Sequence, residues 1–116
     1  MFPLQVRSSF TQAPPTVVTV AGDIDIASVV TLRDHLRALP GDSTVMELSG
    51  VQLMSAAGAR ELAELRDRLT RAGAPLALAG AGSLVGRVLA ITGLADTVIL
   101  TDTVDAAIHL IARGSR

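Results

Sequence analysis

The chain has 116 residues, of which 49% are hydrophobic and 18% are charged, and its formal net charge at pH 7 is −1. This length and balance indicate a single folded domain over residues 1–116 and exclude a disordered chain. The lack of cysteine excludes disulfides and thiolate metal sites, and the small net charge and the few aromatic residues argue against nucleic-acid binding.

The first two predicted elements form an antiparallel hairpin. Apolar or small residues alternate with polar ones at the start of the chain, which is typical of a half-exposed strand. The alternating positions are Leu4, Val6, Ser8 and Phe10. Residues 11–15 break the pattern, and a second, more apolar strand runs from Thr16 to Ala21. The acidic loop Gly-Asp-Ile-Asp follows at 22–25 and contains Asp23 and Asp25.

The first helix is predicted between an N-cap at Ser28 and a stop at Pro40-Gly41. Its apolar residues recur at helical spacing and should form one buried stripe. These residues are Val29, Leu32, Leu36 and Leu39. His35 falls on the opposite side and is expected to face solvent.

A third strand, Thr44 to Leu48, is followed by the stretch 49–58 and a second helix. The predicted buried stripe of this helix consists of Ala59, Leu62, Leu65 and Leu69. On its solvent side, two pairs of opposite charge have the i,i+4 spacing that stabilises a helix. The pairs are Glu64 with Arg68 and Asp67 with Arg71.

The last third of the chain repeats the alternation of strand and helix. Strands are predicted at Leu76–Ala79 and Thr97–Leu100. Between them a helix from about Leu84 to Thr92 is expected, with Ser83 as N-cap and Gly93 ending it in the left-handed conformation. The final helix follows an N-cap at Thr103, and its buried stripe is Val104, Ala107, Ile108 and Ile111.

This order predicts an α/β fold with a mixed sheet of five strands and four helices. Strands separated by single helices require right-handed crossovers, so strands two to five should be parallel, with the first strand as the antiparallel edge. The start of the chain lacks the pattern of a signal peptide, and the longest uncharged stretch, 72–86, contains several glycines and prolines and is too short for a membrane span. A cytoplasmic protein without membrane insertion is predicted.

A glycine pattern follows the fourth strand. Gly80, Gly82 and Gly86 open a helix, and Asp102 ends the next strand, as in a site that binds a nucleotide pyrophosphate and ribose. However, the spacing differs from G-x-G-x-x-G, and only one strand remains after it. A small nucleotide-binding protein is one hypothesis, and a turn with a close contact between helix and sheet is the alternative.

The residues do not favour catalysis. Ser55 lies between Leu53 and Ala57 and so lacks the G-x-S-x-G pattern of a nucleophilic serine. Neither His35 nor His109 is placed to act as its base, and two histidines are too few for a transition-metal site. No enzyme activity, cofactor or metal is predicted.

Four short segments carry a resemblance to a known family. They are Gly-Asp-Ile-Asp at 22–25, Leu-Ser-Gly-Val at 48–51, Gly58 early in the second helix, and Thr-Gly-Leu at 92–94. Their order and spacing resemble the STAS domain of bacterial anti-sigma-factor antagonists over nearly the whole chain. The resemblance implies a protein that binds an anti-sigma factor of the histidine-kinase-like ATPase fold and thereby frees a sigma factor.

In that family the partner kinase phosphorylates a serine or threonine at the start of the second helix, in a D-S-S-G or D-T-S-G sequence. This chain has Ser55-Ala56-Ala57-Gly58 there, so alanine occupies the acceptor position. Three hypotheses address Ser55: an N-cap bonded to the N–H of Ala57 or Gly58, a displaced phosphate acceptor, or part of a constitutive docking patch formed by Met54, Ala56, Ala57 and Gly58.

The leading hypothesis is a protein-binding module, monomeric or weakly dimeric through its edge strand, that docks an anti-sigma kinase. The predicted contact residues are Asp23, Asp25, Met54, Ser55, Ala56, Ala57, Gly58 and the exposed Arg60, Glu61 and Glu64. A second hypothesis within the same fold is an accessory subunit of a lipid-transport or stress-sensing assembly, in which phosphorylation is dispensable.

Overall fold

A computed structural model describes residues 2–9 and 13–114. Its elements in chain order are β1 (Gln5–Ser9), β2 (Thr16–Ile24), α1 (Val29–Arg37), β3 (Thr44–Met54), α2 (Ala56–Arg71), β4 (Leu76–Ala79), α3 (Ser83–Ile91), a 3-10 helix (Leu94–Asp96), β5 (Ile99–Thr101) and α4 (Val104–Gly114). Phe10, which the alternation assigned to the first strand, and residues 11–12 of the predicted loop lie outside the described residues.

The strands form a single sheet in the order β1-β2-β3-β4-β5. β1 pairs antiparallel with β2, and the three other pairings are parallel. This confirms the predicted mixed sheet with an antiparallel edge strand. Because each parallel pair is joined through a helix, the carboxyl ends of β2 to β5 lie along one rim of the sheet.

β2 and β3 are longer than the sequence pattern predicted. They end at Ile24 and Met54, whereas the prediction ended them at Ala21 and Leu48. The two strands continue to pair through register shifts, so that Ala21 lies opposite Gly50 and Asp23 lies opposite Leu53. Both shifts add a residue to β3, where burial loses its alternation after Leu48, whereas β2 keeps its alternation through Ile24. The predicted acidic loop is therefore mostly the end of β2.

The core occupies both faces of the sheet. On one face, alternate residues of β2, β3 and β4 contact the apolar stripes of α1 and α2 and the buried side of α3. The predicted stripe of α2 is buried, and so are the predicted residues of α1, with Leu39 buried just beyond the helix end. On the opposite face, α4 covers the small side chains of β3 and β4. This second cluster contains Val45, Ala77, Ala79, Ala107 and Ile111.

The ends of the later helices follow the prediction except at the start of α3. Gly93 has φ +80°, a left-handed conformation that glycine adopts without strain, and it follows α3 as predicted. The Thr103 hydroxyl oxygen accepts from the N–H of Ala106 at 3.1 Å, which confirms the predicted cap of α4. The predicted cap Ser83 is wrong: it is the first residue of α3, and Gly82 occupies the N-cap position.

β5 is shorter and lies later than predicted. Residues Leu94–Asp96 form a 3-10 helix, and the strand comprises Ile99–Thr101 rather than Thr97–Leu100. The Thr97 hydroxyl donates to the carbonyl of Leu94 at 3.0 Å, which closes the turn ahead of the strand. Leu94 is buried, as expected for the apolar residue after a left-handed glycine.

The predicted charge pairs along α2 are wrong. Arg68 donates to the carbonyl oxygens of Leu36 and Leu39 at the end of α1, and Asp67 pairs with its neighbour Arg66 at 2.8 Å. Carbonyl groups at and beyond the end of a helix lack helical partners, and Arg68 supplies donors to Leu36 within α1 and to Leu39 just beyond it. Arg68 thereby joins α1 to α2.

Candidate functional site

The rim at the ends of β2 and β3 brings the predicted site together. The backbone N–H of Ser55, just after β3, donates to the carbonyl of Ile24 at the end of β2 at 2.8 Å. Asp23 and Leu53 are opposite each other in the same pair of strands. The acidic segment and the start of α2 are therefore neighbours, as the contact prediction required.

Ser55 is the N-cap of α2. Its backbone is extended, with φ −78° and ψ 164°, and its hydroxyl oxygen accepts from the N–H of Gly58 at 3.2 Å. The first N–H groups of a helix have no partner within the helix, and a serine oxygen at this position satisfies one of them. The N-cap hypothesis is confirmed, and the side chain is half-buried.

Asp25 shapes the start of α1. Its carboxylate accepts from the N–H of Ala27 at 3.0 Å and from the N–H of Ser28 at 2.9 Å. Ser28 occupies the N-cap position of α1 as predicted, but its hydroxyl bonds no N–H of the first turn and donates to the carbonyl of Asp23 at 2.8 Å. The N–H of Ser28, followed by the Ser28 side chain, holds the pKa of the Asp25 carboxyl below its usual value.

Asp23 ties the beginning of the chain to the rim. Its N–H donates to the carbonyl of Phe2 at 3.0 Å, and its carboxylate accepts from the N–H of Phe2 at 3.4 Å. Gly22, just before it, has φ +99°, and a Cβ there would overlap the carbonyl of Pro3. Glycine is therefore required where the chain start crosses β2.

The predicted docking patch is only partly at the surface. Met54 is 3% exposed because its side chain, at the end of β3, points into the core. Gly58 is buried because α2 lies directly on the sheet here. A Cβ added to Gly58 would lie 2.5 Å from Cγ2 of Ile24. Ala56 is exposed and Ala57 half-buried, so these two residues form the surface of the patch.

Glu61 is not exposed, contrary to the prediction. It is 8% exposed and forms a salt bridge with Arg33 of α1, with Oε2 at 3.2 Å from Nε. Its position in the seam between α1 and α2 makes it a contact between helices. Arg60 and Glu64 are exposed on α2 and remain available to a partner.

Around this rim lies a set of exposed apolar side chains that no sequence pattern predicted. They are Phe2, Ile26, Val30 and Leu53, and Ile26 is 82% exposed. Phe2 is bonded to Asp23, Leu53 is opposite Asp23, and Ile26 and Val30 lie at the start of α1. Leu53 faces outward because of the register shift in β3, which no periodic pattern reveals.

The glycine pattern after β4 forms a turn. Gly80 has φ +75°, and a Cβ there would lie 2.7 Å from a carboxylate oxygen of Glu47. That carboxylate would repel a phosphate placed on the turn. Gly86 and Asp102 border the same shallow cleft, but a Cβ on Gly82 or Gly86 would meet no atom within 4 Å. The expected close contact between helix and sheet is therefore absent at both.

The histidines lie away from this rim. His35 is half-buried rather than on the solvent side, and its Nε2 is 2.6 Å from the Ser8 hydroxyl. Ser8 pairs with Val18, near the opposite end of β2. His109 is exposed on α4. Within residues 2–9 and 13–114, no three acidic or histidine side chains are arranged to hold a metal ion. In the same ranges, every helix is too short or too polar to cross a bilayer.

Comparison with protein families gives one assignment. The model of the STAS domain matches residues 5–107. No match to the chain was found among curated protein sequences.

Solved structures share the fold across nearly the whole chain. An anti-sigma factor antagonist from Mycobacterium paratuberculosis has a TM-score of 0.84 at 24% identity, with 94% of each chain covered. Unphosphorylated SpoIIAA, a Bacillus cell-fate determinant, has a TM-score of 0.79 at 14% identity, covering 97% of this chain and 100% of that one. A STAS domain protein from Planctomyces limnophilus has a TM-score of 0.75 at 16% identity, covering 92% and 97%. At these identities the likeness shows the fold.

Proposed function

The chain belongs to the STAS domain family, and we propose that it is an antagonist-like binding module that docks a kinase-type anti-sigma factor of the histidine-kinase-like ATPase fold. The docking surface is the rim formed by the end of β2, the end of β3 and the start of α2. The module acts in the cytoplasm and performs no chemistry of its own.

The observation that carries this proposal is the group of exposed apolar side chains at the rim. Phe2, Ile26, Val30 and Leu53 are half of the exposed large hydrophobic residues in the described part of the chain, and each lies on, or is bonded to, the segments that end β2, end β3 or lead into and begin α1. Apolar side chains gathered at one end of a protein mark an interaction surface, whereas single ones scattered over a surface do not. Ala56 is exposed one residue after Ser55, which is bonded to Ile24 at the end of β2, and its small side chain allows close approach.

Charged groups at the rim provide specificity. Arg60 and Glu64 are exposed on the first turns of α2. Asp25 is already bonded to two N–H groups, so its contribution is to fix the loop rather than to bind a partner. Exposed charges of this kind change association rate and partner choice more than they change affinity.

The start of α2 lacks the family's regulatory hydroxyl. Ala56 cannot accept a phosphoryl group, which would otherwise add nearly two negative charges at the docking surface. Ser55 is half-buried, and its oxygen already accepts from the N–H of Gly58. A kinase would have to break this cap to use it. We therefore propose binding that phosphorylation at the start of α2 does not switch off.

Incubation with a candidate anti-sigma kinase and ATP tests this proposal, with intact mass and binding measured on the same sample. The expected result is a stable complex without the added mass of a phosphoryl group. The matched variant Ala56→Ser restores the hydroxyl, and we expect it to gain that mass and lose the complex.

Two results would contradict the proposal. One is a failure of the natural protein to bind any kinase of this fold, which would favour an accessory subunit of a larger assembly instead. The other is phosphorylation of the natural protein that disappears in Ser55→Ala, since this would make Ser55 the switch.

A further inference from the structure

We propose that a groove on the other side of α2 from α1 binds an acidic amphipathic helix of the docking partner. The groove lies between α2 and the segment that joins α3 to the 3-10 helix. The inference rests on the proposed function, since the helix is assigned to the same partner. Ala56 borders both the rim and this groove, so the groove would add a second contact for that partner.

The shape of the groove suits a helix. Ala56, Ala59 and Ala63 line one side at the i, i+3, i+7 spacing of a single helical face, and Thr92 and Leu94 line the other side. The space between them is about 370 Å³. From Ala56 to Arg66, α2 rises about 15 Å, which is the length of roughly three turns of a partner helix.

The backbone chemistry of the walls also favours a helix over an extended peptide. Ala56 begins α2, and Ala59 and Ala63 belong to its interior, where the N–H and C=O groups bond within the helix. The groove therefore offers no strand edge, and an occupant must satisfy its own backbone groups, as a helix does. Recognition then depends on side chains alone.

The charge of the groove is positive. Its two charged lining residues are Arg60 and Arg66, and no acidic residue lines it. Arg66 is bonded to Asp67 and Thr97, but no carboxylate in the described part of the chain lies within salt-bridge distance of Arg60. By contrast, the seam between α1 and α2 mixes arginines with Glu61, Glu64 and Asp67. Charge complementarity therefore selects an acidic occupant for the groove on the α3 side.

An apolar anchor lies next to the groove. Ile91 immediately precedes Thr92 and is 77% exposed, although it belongs to a helix whose other side is in the core. A helix with leucine side chains toward the groove and carboxylates toward Arg60 would cover this side chain. The occupant is thus defined by two features, an aliphatic face and flanking acidic residues.

The test uses the full chain and a model peptide. The probe is a helical peptide of about 15 residues with leucines on one face flanked by glutamates, and its matched control has lysine in place of every glutamate. Backbone amide NMR spectra report binding at each residue. We expect the acidic peptide to shift the amides of Ala59, Ala63, Thr92 and Leu94, and the lysine peptide to leave them unchanged.

Two variants test the charge. Arg60→Glu should weaken binding of the acidic peptide by at least about tenfold, because it places like charges together. Arg37→Glu makes the same charge change at an exposed position on α1 and should leave binding within about twofold. Both positions are exposed, so a circular dichroism spectrum identical to that of the natural protein is expected for each.

The proposal is overturned if the acidic peptide causes no shifts at about millimolar concentration. It is also overturned if both peptides bind equally, if the shifts fall along the seam between α1 and α2, or if Arg37→Glu weakens binding as much as Arg60→Glu. The peptide experiment needs no kinase and the kinase experiment needs no peptide, so a failure of the groove proposal can be distinguished from a failure of the proposed function.

Discussion

Ser55 shows how one hydroxyl takes a structural role where a strand passes into a helix. It stands at the junction of β3 and α2, and its oxygen accepts from the N–H of Gly58 at 3.2 Å. Its own N–H donates to Ile24 of the adjacent strand at 2.8 Å. The residue therefore begins a helix and joins it to the sheet, and the neighbouring Ala56 is left to face outward.

Replacement of Ser55 tests this role. We expect Ser55→Ala to lower the free energy of unfolding by about 1 kcal/mol, because one N–H of the first turn loses its acceptor. Ser55→Asn supplies another oxygen at the same position and should retain most of the stability. Urea denaturation measures both. Equal stability of the alanine variant and the natural protein would contradict the role of the cap.

The carboxylate of Asp25 predicts a pH dependence at the start of α1. Hydrogen bonds from Ser28 stabilise the charged form and lower its pKa in the folded protein. The folded state therefore holds this proton more weakly than the unfolded state does. The stability contributed by the charge is present above the usual pKa of aspartate and is lost as the pH falls through the lowered value.

We expect the natural protein to be more stable than Asp25→Asn at neutral pH, and this difference to shrink as the pH falls from about 5 to about 2. Asparagine keeps an acceptor oxygen but cannot carry the charge, so the comparison isolates the charge. Urea denaturation across this range measures the difference. A gap between the two proteins that stays constant with pH is the result that would disprove this explanation.

At the scale of elements, the docking of α2 on the sheet depends on Gly58. The helix approaches β2 so closely that a Cβ on Gly58 would lie 2.5 Å from Cγ2 of Ile24 and 3.3 Å from Cγ of Met54. The Ile24 side chain is branched at Cβ and fully buried, so it has little freedom to move away. Glycine is tolerated inside the helix because it allows this contact.

Gly58→Ala should therefore destabilise the protein. Alanine gains up to about 1 kcal/mol in helix propensity, but the overlap costs about 1–3 kcal/mol, and the overlap should win. The matched control is Gly86→Ala in α3, where the new methyl group meets no atom within 4 Å. That variant should gain up to about 1 kcal/mol. Thermal or chemical denaturation of both variants measures these changes in stability. A Gly58→Ala variant more stable than the natural protein would disprove the close approach of α2 to β2.

At the scale of the whole molecule, the sheet is covered unequally on its two faces. α1, α2 and α3 lie over the face that holds the larger cluster, and α4 alone covers the small residues Val45, Ala77 and Ala79 on the other. Alanine and valine at these positions let the last helix approach the sheet closely. β4, which helices cover on both faces, is apolar and buried at every residue.

Truncation of an α4 side chain tests whether this layer is part of the cooperative fold. Ile111 is 5% exposed and Leu110 is 43% exposed, although they are neighbours in the helix. We expect Ile111→Ala to cost about 2–4 kcal/mol in unfolding free energy and Leu110→Ala to cost about 0.5 kcal/mol or less. Similar small effects of both would mean that α4 separates from the sheet before the rest unfolds.

Much of the fold could be predicted from local patterns. The stripes of α1 and α2, the alternation in β1, the left-handed Gly93 and the caps at Ser55 and Thr103 each depend on a few adjacent residues. The family could be predicted as well from the resemblance of Gly-Asp-Ile-Asp, Gly58 and Thr-Gly-Leu, and the STAS domain model matches residues 5–107. These features are local, so periodicity and residue type were sufficient.

The composition of the candidate site was decided by the tertiary structure. Four features of this region arise from contacts between segments far apart in the chain. They are the lengths of β2 and β3, the outward orientation of Leu53, the burial of Glu61 against Arg33, and the hydrogen bonds from Arg68 to the end of α1. The sequence alone determined which elements form and that Ala56 cannot be phosphorylated. Strand register and the packing of α2 decided whether each side chain near Ala56 faces the surface or the core. These contacts pair residues that are distant in the chain, so they leave no periodic signal in the sequence.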